Sequence, residues 1–426
     1  MIKRNLFFFV LFLVLANLIF GAYQLSQRRT TSFSGEYYSS ISHFGQVMRI
    51  IHENYVDENA ASYDKLMQAA LDGMLGSLDP YSQYLSKERF TKLQEETQQQ
   101  YGGIGIQIEM RDNRVTVVAP IANTPGEAAG ILPGDQIVRV DGTSTEDHST
   151  DQMVELLRGE PGAAVDLTLF RPKTEETIEV RVVREIIELE SVRDVGLIED
   201  GVGYIRLTQF GERTGAEFEA AIKSLEAEEM RGLILDLRNN PGGLLSASVD
   251  VAGLFFERGE LVVYTQGRDK ERRQDIRARN AARPRDYPIV ILVNSGSASA
   301  SEIVAGALRD SRRAVIVGET SFGKGSVQSI EPLRGGDALR YTSARYYTPA
   351  GVSIHEKGVV PDIVVDISIE EEARLLQQRS RPDLEPAEFM ERFGFEPIED
   401  RQLRTAIDVL KGLFLFAELN DRSDGV

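Results

Sequence analysis

Residues 293–328 read VNSGSASASEIVAGALRDSRRAVIVGETSFGKGSVQ. The stretch is entered from an apolar strand, IVILV (Ile289 to Val293), and breaks into small polar residues from Asn294 to Ser301. A helical pattern follows from Glu302 to Arg309, then a short strand from Ala314 to Val317, then a lysine bracketed by glycines, Gly323-Lys324-Gly325. Strand, small-residue turn and helix in that order set backbone N–H groups and hydroxyls at the positive end of a helix, beyond the carboxyl end of a strand. In an open α/β sheet, ligands and chemistry collect there.

Two chemistries suit such a stretch. Gly318-x-x-x-x-Gly323-Lys324 nearly completes a phosphate-binding loop, but the next position, which must bring a hydroxyl to Mg²⁺, is Gly325. The following GSVQSIEP has no helical pattern, so the helix dipole that phosphate needs is missing. The other chemistry is a serine nucleophile with a lysine base. Lysine serves as a base when burial disfavours its ammonium form. Taken alone, SGSASAS is a packed or flexible turn. Its place between strand and helix, with the bracketed lysine behind it, favours the catalytic reading.

SASASE followed by GETSFGKGSVQ resembles the carboxy-terminal processing peptidases, also called tail-specific proteases. The resemblance implies Ser299 as nucleophile, Lys324 as general base and Gln328, four residues on, as the group that orients the lysine. Ser295, Ser297 and Ser301 do not match the nucleophile position. Asp310 stands where some members carry a functional acid, and equally fits a surface carboxylate at a helix end. LILDLRNNPGG (Leu233 to Gly243) also resembles the family. It implies oxyanion donors from the Gly242-Gly243 turn and from the N–H of Ala300, because a tetrahedral oxyanion needs preorganised donors. A type II turn would select the same Pro-Gly pair. His355 is the one histidine of this domain and the only rival base, and Ser299 lacks a GxSxG elbow.

Residues 98–185 resemble a PDZ module. Tyr101-Gly-Gly-Ile-Gly-Ile-Gln107 is a glycine-rich loop feeding a strand, VTVVAPI follows, and a helix is expected from Ser149 to Arg158. PDZ modules add a peptide C-terminus as an extra strand and rest its carboxylate on loop N–H groups. The resemblance implies Gly103, Ile104, Gly105 and Ile106 as that loop, with Met153 and Leu156 lining the side-chain pocket.

The family resemblance spans roughly residues 40 to 365, taking in GMLGSLDPYSQYLS (Gly73 to Ser86) and ALRYTSARYYTPAGVSIHEKGVVPDIVV (Ala338 to Val365). The expected fold is multidomain, α/β and β. Residues 1–35 form a signal peptide or membrane anchor and 36–97 an N-terminal helical region. A β-sandwich or barrel-like PDZ module covers 98–185, an α/β peptidase core with a mixed sheet covers 186–365, and 366–426 form a helical tail. The alternation of strands and helices from residue 190 onward carries the α/β reading.

Lys3 and Arg4 precede the apolar run Leu6 to Tyr23, which is about long enough to span a bilayer and shows no clean cleavage site. An extracytoplasmic or periplasmic protein held to the inner membrane by residues 6–23 is expected. The chain has 426 residues, no cysteine, and 48 basic against 66 acidic side chains, a net charge of −18. Disulfides and thiol chemistry are excluded, and general nucleic-acid binding is disfavoured. No metal-ligand cluster or cofactor site is evident. The basic residues between Gln266 and Arg285 read as a solvated loop. Apolar stripes at Phe44 to Tyr55 and at Leu403, Ile407, Leu410 and Phe414 offer surfaces for packing on another domain or for homo-oligomer formation.

The resemblance implies a serine endopeptidase that cleaves exported proteins near their free C-termini, which the PDZ module captures. The alternative is a PDZ scaffold with little or no peptidase activity.

Overall fold

The computed structural model describes residues 35–423 apart from 112–113, 147, 200, 280–283 and 382–383. The expected anchor, residues 6–23, lies outside the described residues. Among the described residues no helix is long and apolar enough to cross a membrane. The chain divides at Pro80 into two compact units.

The first unit holds two helices, Gly35–Asn54 and Tyr63–Gly76. The ring of His52 hydrogen-bonds the Ala61 carbonyl at 2.9 Å and stacks 4.1 Å from Tyr63, which pins the connecting turn. Val47, Ile50, Ile51 and Tyr55, on the stripe expected to be apolar, are exposed.

The second unit contains the larger sheets. Its central one runs in the order Val192–Glu199, Val202–Leu207, Gly232–Asp236, Ile289–Val293, Ala314–Gly318, Ile363–Val364. The first pair is antiparallel and every other pair parallel, so the sheet is mixed. Every residue of Gly232–Asp236 and Ile289–Val293 is buried, which explains the apolar runs Leu233 to Leu235 and Ile289 to Val293. Helices Thr214–Ala227, Leu245–Gly253 and Ala300–Asp310 cover one face.

The tail helix Arg401–Ser423 covers the other face. Ala406, Ile407, Leu410 and Phe414 pack on Tyr204, Ile234, Val290 and Leu292. Of the two surfaces expected for this stripe, another domain or a subunit, it covers that of another domain, the central sheet. Leu410→Ala should cost about 2–5 kcal/mol, read by chemical denaturation; a loss under about 1 kcal/mol would contradict this packing.

A second sheet pairs Gln83–Leu85, Ala338–Tyr347, Leu261–Gly267 and Arg273–Arg277, with Ser326–Pro332 on the other edge of the long strand. Two expectations change here. The pre-PDZ region is not wholly helical, because Gln83–Leu85 joins this sheet. The basic stretch is in part a hairpin rather than a loop: Arg273–Arg277 pairs with Leu261–Gly267, and Asp275 bridges Arg273 and Arg277.

The PDZ module is an antiparallel sheet in the order Ile106–Arg111, Arg114–Pro120, Gln136–Val140, Ala164–Arg171, Glu176–Val183, with Thr143–Ser144 beside the third strand. It forms no closed barrel, since Ile106–Arg111 is an edge. Helix Thr150–Leu157 starts at a capping box, Ser149 with Gln152. The two chain connections to the peptidase core pair as a ribbon, Gln100–Gly103 with Glu185–Glu188.

Candidate active site

The strand Ile289–Val293 ends in a turn that reaches Ser299 at φ 54° and ψ −109°. A serine at positive φ is strained. The surroundings hold it there. Asn294 N–H donates to the Ser297 hydroxyl, and the Ser297 hydroxyl donates to Leu237 O at 2.7 Å. Ala298 N–H and the Ser301 hydroxyl both donate to Asn240 O. Ser299 is 8% exposed and directly precedes helix Ala300–Asp310.

Glu302 ties this turn to the lysine. Its carboxylate is fully buried. One oxygen accepts from the Ser321 hydroxyl at 2.5 Å and Gly323 N–H at 2.7 Å. The other accepts from Ser299 N–H at 2.7 Å and Lys324 N–H at 2.9 Å. Burial pushes the Glu302 carboxyl up, against the pull of these four donors.

Ser299, Lys324, Gln328, Gly242 and Gly243 line one cleft of about 530 Å³ at the carboxyl ends of the central strands. Burial holds the Lys324 amine below its ordinary value, and the nearby Arg340 guanidinium lowers it further, while Glu302 opposes both. The ammonium position lies 5.0 Å from the Tyr81 ring centroid. Tyr346 lines the same cleft, and burial pushes its phenol up to about 12 against the opposing pull of the Ser299 side chain.

Gln328 donates through Nε2 to the hydroxyls of Ser326 and Thr342, and its Oε1 is buried with no partner among the described residues. Gly242 N–H donates to Asn240 Oδ1 at 2.9 Å, which commits that donor. A Cβ on Gly242 would lie 2.6 Å from Ala298 O, 2.8 Å from Ala300 N and 2.8 Å from Ser299 Cβ, so only glycine lets the turn lie against the serine. Asp310 does not line this cleft; its Oδ2 accepts from Ala350 N–H. His355 does not line it either. After Lys324 the chain enters the strand Ser326–Pro332, so no helix N-terminus is available there for phosphate.

Sequence reasoning missed Glu302, Tyr346 and Arg340. In the sequence Glu302 marks only the start of a helical pattern, and only the folding back of 321–324 makes it a hub. Arg340 and Tyr346 sit on a strand of the second sheet, far from Ser299 in sequence.

The PDZ groove holds Gly103, Ile104, Gly105 and Ile106. From the helix it is lined by Val154, Leu157 and Arg158. Met153 is 0% exposed inside the PDZ core and Leu156 packs against that core, so the helical phase expected for the pocket is corrected. Arg158 stacks 4.4 Å over Tyr101, and its buried Nε has no partner among the described residues. Among the described residues no group of three or more His, Asp or Glu side chains is placed to hold a metal.

Comparison with known proteins agrees with this organisation. Residues 201–365 match the model of peptidase family S41, 102–182 that of a PDZ domain, and 20–89 that of the activating protease CtpB N-terminal domain. The chain is 37% identical over 431 residues to a carboxy-terminal-processing protease of Bartonella bacilliformis, covering 97% of this chain and 96% of that one. It is 39% identical over 323 residues to a carboxyl-terminal-processing protease of Synechocystis sp., covering 74% and 75%. A putative S41 protease from Bacteroides fragilis has a similar fold, with a TM-score of 0.50 at 16% identity over 86% of this chain and 97% of that one.

Proposed function

Because the chain belongs to the PDZ-containing carboxy-terminal-processing serine peptidases of family S41, we propose that it cuts exported proteins near their C-termini with a Ser299–Lys324 dyad. One observation carries the reading: a single buried carboxylate, Glu302, hydrogen-bonds both the Ser299 and the Lys324 backbone at the edge of one cleft.

In this reading Ser299 Oγ attacks the scissile carbonyl carbon and its proton passes to Lys324 Nζ. The developing oxyanion takes the N–H groups of Gly243 and Ala300, since Gly242 N–H serves Asn240. The Oε1 of Gln328, buried without a partner among the described residues, is in this reading the acceptor for the charged lysine. Lys324 then protonates the leaving amine, and water, deprotonated by the same lysine, releases the acyl group. No metal or other cofactor takes part. The basic Lys3 and Arg4 before the apolar run Leu6 to Tyr23 support, in this reading, a position outside the cytoplasm at the inner membrane.

Incubation with unfolded proteins tests the reading. Wild type should release C-terminal fragments and Ser299→Ala none. A wild type that binds C-terminal peptides without cutting would instead make the protein a PDZ scaffold.

Two further results are expected. Lys324 must be neutral to act, so the rate should rise as pH rises through its pKa. Arg340→Gln removes a repelling charge, so that limb should move to higher pH and the rate at pH 7 fall several-fold; an unmoved limb contradicts the part given to Arg340. At the PDZ groove, amidating a substrate's C-terminus should weaken binding about tenfold or more, because the loop N–H groups and Arg158 lose a carboxylate. Equal binding of acid and amide would remove this role.

A further inference from the structure

The two turns that form the catalytic cleft are held from behind by the C-terminal tail. Arg238, 4% exposed, leads into the Asn240–Gly243 turn. Two of its N–H bonds serve Asp236, Nε at 3.0 Å and one Nη2 hydrogen at 2.6 Å. The other three go to the tail: Nη1 to Asp400 at 2.9 Å and to Gln402 at 3.0 Å, and Nη2 to Asp400 at 2.9 Å. Asp400 also accepts from Arg379 at 2.6 Å and from Leu403 N–H, where it begins the helix that covers the sheet. The Arg238 and Arg379 guanidinium groups hold the Asp400 carboxyl below its ordinary range despite burial.

The nucleophile turn has a matching tie. Asn294 Nδ2 donates to Asn239 Oδ1 at 2.9 Å and to Glu372 Oε1 at 2.7 Å, and Asn294 Oδ1 accepts from Asn239 N–H and Gly296 N–H. The seam between the turns and the tail encloses only about 10 Å³ of open space. Asn240, two residues past Arg238, accepts from Ala298 and Ser301 on one side and from Gly242 N–H on the other.

We propose that Asp400 and Glu372 are positioning residues for the reaction, fixing through Arg238 and Asn294 the turns that carry the oxyanion donors and the nucleophile. The inference rests on the assignment of Ser299, Gly243 and Ala300 made above. Losing Asp400 leaves a buried guanidinium with unfilled donors, and Arg238 must shift to fill them. The backbone it carries shifts with it. Donors aimed at an oxyanion act only once that charge develops, so the loss should fall on kcat and spare KM.

The test uses the full chain, a fluorogenic peptide and a peptide aldehyde that adds to the serine as a hemiacetal. Asp400→Asn should lower kcat tenfold or more and Glu372→Ala several-fold, with KM within about twofold. Aldehyde affinity should fall in parallel with kcat, and Asp400→Glu should recover part of the loss. A purely structural tail would lower Tm and leave kcat of the folded enzyme unchanged, which overturns the proposal. If Asp400→Asn does not fold, the half-buried Glu372→Ala decides alone. Wild-type activity lost in Ser299→Ala but intact in both tail variants refutes this inference only. Activity retained by Ser299→Ala refutes the catalytic reading, and this one falls with it.

Discussion

Ser299→Ala and Lys324→Ala should each lower kcat by on the order of 10⁴ or more while the protein stays folded. The hydroxyl is the only group of Ser299 that alanine removes, and the backbone ties that hold its turn run through Glu302, Asn240 and Ser297. The serine variant should therefore unfold at a Tm close to wild type. Lys324→Ala removes a half-buried amine that makes no ion pair within 4.0 Å among the described residues, so it should also fold. Loss of activity in both, with near-native Tm, is the expected pattern. Cleavage retained by a folded Lys324→Ala would exclude the dyad, and would send the search for a base to groups outside the cleft such as His355.

The second large effect is expected at Glu302. Glutamine has nearly the same shape but brings an NH₂ group where the carboxylate oxygen faced two donors. Whichever way the amide turns, it sets donor against donor, at Ser321 and Gly323 or at Ser299 and Lys324. Glu302→Gln should therefore cost on the order of 3–5 kcal/mol of stability. Because both catalytic backbones hang from this carboxylate, kcat should fall by about 100-fold or more in the fraction that remains folded. Denaturant unfolding and single-turnover cleavage measure the two effects separately. A variant with wild-type rate and stability would show that the turn and the lysine loop are held by other contacts.

Much of the fold was legible because two physical patterns dominate it. Ile289–Val293 is apolar without a break because both faces of the sheet are covered, and helix Thr214–Ala227 carries its buried residues Phe218, Ile222 and Leu225 at helical spacing. The mixed sheet of the peptidase core and the PDZ module followed from such elements in order. The second sheet was harder. Ser326–Pro332 and Arg273–Arg277 are half-exposed strands whose polar residues mask any alternation, and Gln83–Leu85 is too short to show a period. The covering role of the tail was hidden because a stripe reports that a helix buries a face, not which surface it meets.

The candidate site divides in the same way. Ser299 and Lys324 stand out by local chemistry, a serine run before a helix and a lysine between glycines. The groups that hold them do not. Glu302 gains its role from four donors brought in by two separate turns, and Arg238 from partners more than 160 positions away in sequence, Asp400 and Gln402. In the PDZ groove the glycine-rich loop was readable as a motif, but the helix phase was not. Ser149 starts the helix with Met153 facing the core, which turns Val154 and Leu157 to the groove.

The most direct test of the central claim is to treat the protein with a fluorophosphonate, which phosphonylates an activated serine, and to locate the adduct by mass spectrometry. A single adduct on Ser299, blocking cleavage in proportion to labelling and absent in Lys324→Ala, is the predicted result. An adduct on Ser295, Ser297 or Ser301, or cleavage that continues with Ser299 fully labelled, would contradict it.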